Sequence, residues 1–144
     1  MKKTIRVLIA ASALALSAFG SFADAGQFSA STYGSLSASD IADVVTDSFT
    51  RNFPASKFEI VVFTQAGRLG DGKPYCFGMA GVAPNGRHEM PRSRFTDEEV
   101  GNQPENFPLR RAEVHNLEMR CGRAAVRELM QANRKDQYVP QPRG

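Results

Sequence analysis

Cys76 and Cys121 are the only cysteines in this 144-residue chain, and their spacing constrains the fold more than any other feature. How they are read depends on the segment at the start. Lys2, Lys3 and Arg6 form a basic opening, and an apolar run follows from Val7 to Phe19. Ala23-Asp24-Ala25 then offers small residues at the two positions a signal peptidase reads. Residues 1–25 are therefore expected to be an export leader. In an oxidising compartment an even pair of cysteines is expected to form a disulfide, here across a separation of 45 residues. Loop-closure entropy assigns such a bridge roughly 4 kcal/mol, less whatever strain the native geometry adds. A redox-active pair is a poorer reading, since no Cys-x-x-Cys is present to lower a thiol pKa.

The apolar run is shorter than the ~20 residues a permanent membrane span needs. The first cysteine lies far beyond the cleavage point, which argues against a lipidated leader, and the lack of a twin-arginine pair favours a Sec-type route. The expected location is a bacterial periplasm, or the secreted fraction. Cleavage would leave 119 residues, enough for one domain with a modest core. The leader also carries three of the 18 basic residues and one of the 15 acidic ones, so the net charge falls from +3 to +1 on cleavage. A nucleic-acid role built on bulk charge loses its support.

Residues 26–38 are rich in Ser, Ala and Gly and read as a flexible arm. A single domain is expected over 39–133. Ile41, Val44, Val45, Phe49 and Phe53 follow helical spacing, Ser39 can cap, and Pro54 stops the run, which predicts a helix over 40–52. Residues 57–65 are apolar on both faces and predict a central strand. A Gly-rich loop with an Asp71-Gly72 turn signal leads to a second strand over 75–83. In that strand Cys76, Gly78, Ala80 and Val82 share a small-residue face, which would let a helix approach closely.

Residues 88–96 are compatible with a short edge strand containing Pro91, and the polar stretch 96–108 reads as a surface loop. Residues 109–133 carry a long amphipathic helix, and 134–144 a disordered tail. The expected fold is α+β: a small antiparallel sheet of two or three strands, packed by a long C-terminal helix and a shorter N-terminal one, with Cys76 bridged to Cys121.

Arg87, His88, Arg92 and Arg94 form a basic cluster just before an acidic stretch. Adjacent patches of opposite sign suit steering of a protein partner, although charges on an edge strand also serve to block edge pairing. His88 with Met90, and His115 with Met119, raise a copper-binding alternative without a recognisable metal spacing. No nucleophile elbow is present, and the Gly-rich stretch at 67–72 joins two strands, so it is not a phosphate loop. The expected function is an exported binding protein without catalysis or cofactor, acting on a protein or envelope partner as an inhibitor, immunity or accessory factor does. A hydrolase would require a pocket that brings a histidine against an acid and a hydroxyl.

Overall fold

The computed structural model describes residues 27–87, 89–91, 93–102 and 108–132. The expected leader over 1–25 and the expected tail over 134–144 lie outside them. The elements in chain order are strand β1 (Ala30–Tyr33), a 3-10 turn (Ala38–Asp40), helix α1 (Asp47–Asn52), strands β2 (Phe58–Arg68), β3 (Pro74–Pro84) and β4 (Arg94–Val100), and helix α2 (Arg111–Ala132). The α+β class and the long C-terminal helix are as expected. The sheet differs: it has four strands in the order β1-β2-β3-β4, with β1 parallel to β2 and the other pairs antiparallel.

Two sequence expectations are corrected by β1 and β4. Residues 30–33 are not a loose arm; they pair with Ile60–Phe63, and Leu36 just beyond them is 5% exposed. The acidic stretch 97–99 belongs to β4, an edge strand paired with β3, so the loop expected from 96 begins later. Acids on a strand with one open edge keep their solvent and discourage pairing with other chains.

The helix expected over 40–52 is also shorter. Its first part is a 3-10 turn and further turns, and only Asp47–Asn52 is α-helical. Val44, Val45 and Thr46 form a β-branched run, which loses side-chain freedom in a helix. Thr46 instead starts α1 by accepting a hydrogen bond from the Phe49 amide at 3.3 Å. The apolar face survives this change, because Ile41, Val45, Phe49 and Phe53 are all buried.

The core lies between one face of the sheet and the two helices. Ile60, Val62, Ala80 and Val82 from β2 and β3 meet Ala125, Val126 and Leu129 from α2, with Phe49 and Phe53 closing one end. The Phe49 and Phe53 ring centroids are 4.9 Å apart. On the small-residue face, the Cys76–Cys121 disulfide ties β3 to α2 with the Cα atoms 6.0 Å apart. The bridge therefore closes a strand-to-helix contact that the small side chains permit. Arg123 makes a second tie, donating to both carboxylate oxygens of Asp43 at 2.7 and 2.6 Å and to the Asp40 carbonyl at 2.8 Å. At the start of α2, Glu113 accepts a hydrogen bond from the Arg110 amide at 2.6 Å. A carboxylate thus faces the positive helix end despite two preceding arginines.

Candidate functional site

The sheet has a covered face and a partly open one. Strand register puts Tyr33, Phe63, Met79 and Thr96 in one row across all four strands, on the face away from α2. The next row holds Gln65, Phe77 and Glu98, and Tyr75 pairs with Val100 beyond it. Pro91 and Ser93 shield the other end, where Pro91 is buried and packs on Gly81. A side-chain carbon at Gly81 would sit 2.6 Å from the Ser93 carbonyl, so only glycine allows that approach. The cover stops short of the aromatic row. Tyr33 is 46% exposed, Phe63 37% and Val100 55%. The Phe63 and Phe77 rings pack edge to face with centroids 6.3 Å apart. Met79 beside them is buried. The result is an apolar, aromatic surface on the two central strands, rimmed by Gln65, Thr96 and Glu98.

Of the predicted basic cluster, His88 and Arg92 fall outside the described residues. Arg87 is exposed in the turn after β3. Arg94 opens β4 on the open face, opposite Gly81, and its Nε donates to the Pro91 carbonyl at 2.9 Å. That bond holds the covering segment in place and sets a guanidinium at the border of the aromatic row. The acids are split between faces: Glu98 lies on the open face, while Glu99 points to the helix side and pairs with Arg120 at 3.3 Å. The proposed pairing of opposite patches is thus partly used up inside the domain.

A second concavity runs along the outer flank of α2. It has a volume of about 770 Å³, with Leu117 and Ala124 beside Arg120, Arg123 and Glu99. Arginines on an amphipathic helix look like its solvated side, and nothing in their spacing distinguishes a groove wall from a free surface.

The densest polar cluster surrounds Glu118, which is only 6% exposed. Its Oε2 accepts from the Ser35 amide at 2.6 Å and from the Thr64 hydroxyl at 2.9 Å. Burial pushes this carboxyl up, but hydrogen bonds from the Ser35 amide and hydroxyl, Thr64 and the Ala66 amide outweigh it and hold the group below its usual range. Gly34, with φ of 126°, brings the chain in here. A side-chain carbon at that position would sit 2.9 Å from Glu118 Oε2 and nearer still to the Thr64 hydroxyl.

His115 stands beside this cluster. The Ser35 hydroxyl is 3.1 Å from its Nδ1, and the Ser35 carbonyl 3.2 Å. Serine, histidine and acid therefore meet, as a hydrolase would need, but in a different order. The acid grips the serine amide, and among the described residues no acid holds the imidazole's other nitrogen. The cluster locks the segment after β1 onto α2. These contacts engage His115 Nδ1, and Met119 is partly buried against the core. Among the described residues no helix is long and apolar enough to cross a membrane.

No protein-family model, curated protein or solved structure matches this chain.

Proposed function

We propose that this chain is an exported, disulfide-stabilised binding protein that engages a protein or envelope partner without catalysis, through the open face of its sheet. The observation that carries the reading is the exposed pair Tyr33 and Phe63 on neighbouring strands, with the half-buried Phe77 beside them, on the sheet face away from α2. Aromatic side chains bury large areas at little entropic cost and are enriched at the centres of interfaces. An exposed apolar patch with a polar rim on a small domain marks an interaction surface. Arg94 at the border, with Arg87 beyond, supplies steering charge.

Double substitution Tyr33→Ser and Phe63→Ser tests the reading. The variant should fold with near-native circular dichroism and lose the envelope component that co-purifies with the native protein. Charge reversal at Arg87, Arg92 and Arg94 should slow that capture without unfolding the domain. Undiminished capture by both variants would contradict the proposal. Export is tested separately: the mature protein should begin at Gly26 and be released with the periplasmic or secreted fraction.

A further inference from the structure

We propose that Cys76, Cys121 and Glu99 form a redox-gated site for a thiophilic metal ion such as Zn(II), Cd(II) or Cu(I). It is separate from the open sheet face and does not depend on the partner proposed there. The disulfide brings the two sulfurs together, and a carboxylate oxygen of Glu99 lies with both of them inside a 4.8 Å cluster. The placement follows from the fold. Glu99 is the direct cross-strand partner of Cys76 on the helix-facing side of the sheet, and Cys121 approaches from α2 above. Three elements thus converge on one point. Thiolate–metal and carboxylate–metal bonds of ~2.3 and ~2.1 Å fit such a cluster with small side-chain movements.

In the oxidised protein the sulfurs are bonded to each other and cannot ligate. A dithiol reductant changes that by taking up the Cys76–Cys121 bond. It supplies two electrons and two protons, leaves as its own disulfide, and yields two thiols. Metal binding then releases both thiol protons to solvent and places two thiolate sulfurs and one Glu99 oxygen on the ion. The three ligands carry three negative charges, which a divalent ion and the neighbouring Arg120 guanidinium together offset. Cys76 and Cys121 are 1% and 0% exposed, so the reductant reaches the sulfurs only during local opening of α2 from β3, and the closed site then holds them away from solvent. The Glu99 side chain is 47% exposed and borders the groove along α2, which gives the ion a route in and leaves room for an exogenous ligand at its fourth position. Soft thiolates select the thiophilic ions over magnesium or calcium. Metal binding would also shield the two sulfurs from reoxidation.

The test uses the full mature chain, reduced with a phosphine under anaerobic conditions and titrated with Cd(II) while the ultraviolet thiolate-to-cadmium band is followed, with Zn(II) competition for affinity. The proposal expects one ion per chain in the reduced protein and none in the oxidised protein. Glu99→Gln should weaken binding by about tenfold or more, and Cys76→Ser with Cys121→Ser should abolish it. The metal should also raise the melting temperature of the reduced protein, which separates binding in the folded site from capture by an unfolded chain. A reduced protein that binds no tighter than the double serine variant would overturn the site. So would a Glu99→Gln variant with unchanged affinity, or a metal that leaves the melting temperature where it was.

Discussion

Gly78 on β3 lies directly beneath Cys121 on α2: a side-chain carbon at position 78 would fall 2.7 Å from the Gly122 nitrogen and closer still to the Cys121 carbonyl. The contact sets the distance between sheet and helix. It is why the disulfide can form where it does, since Gly78 on β3 and Gly122 on α2 present no side chain beside the bridge. Gly122 fits from the other side, against Thr64 and Leu36.

Gly78→Ala should therefore push α2 off the sheet, because the obstruction is backbone and cannot rotate away. A loss of about 1–3 kcal/mol is expected from such overpacking. Urea unfolding would measure it, and the variant should also form the disulfide more slowly on air oxidation.

Cys76→Ser or Cys121→Ser removes the staple. The loop-closure model places the loss near 4 kcal/mol at most, a large share of the stability of a domain this size. Differential scanning calorimetry should show a clear fall in melting temperature for either variant, matched by reduction of the unaltered protein. A fall seen on reduction but not on substitution would point to strain elsewhere.

The Glu118 cluster makes stability depend on acid. Its carboxyl is held below the usual value of 4.5, so folding gains from the charged form. That gain is complete above the unfolded-state value and is lost as pH falls through the lower folded-state value. Stability should be level above about pH 5 and decline as the solution is made more acidic. Glu118→Gln should flatten this part of the profile and lower stability at neutral pH. Glu118→Ala, which strands the Ser35 amide and the Thr64 hydroxyl, should cost about 1–3 kcal/mol. Equilibrium unfolding of the three proteins between pH 3 and pH 7 checks all of this.

What was readable in the residues divides along local and non-local lines. The alternation of β2 and β3, the turn at Asp71-Gly72 and the stripe of α2 are local patterns, and the structure keeps them. The disulfide was readable because an even cysteine count in a chain expected to be exported leaves few alternatives. β1 was not, since Ala30–Tyr33 carries a single large hydrophobe and gains its order from a parallel partner 30 residues on. β4 was hidden because the acids that protect an open edge look like a loop. The open sheet face was half seen. Apolar residues on both sides of β2 point to a central strand, which it is, but they do not tell that its outward side is covered at Val61 and open at Phe63. Whether the chain covers a sheet face depends on where Pro91 and Ser93 fold back onto Gly81, which periodicity does not encode. The Glu118 cluster joins Ser35, Thr64 and Glu118 from three separate elements, and no sequence pattern links them.

The open face is tested most directly by photo-crosslinking from position 63. A benzoylphenylalanine replacing Phe63 keeps an aromatic ring in the row, and the same probe at Glu128, on the exposed side of α2, serves as the control. With the protein expressed in its native envelope, irradiation should give one discrete adduct from position 63 and none from position 128. Equal adducts from both positions, or none from position 63, would contradict the account.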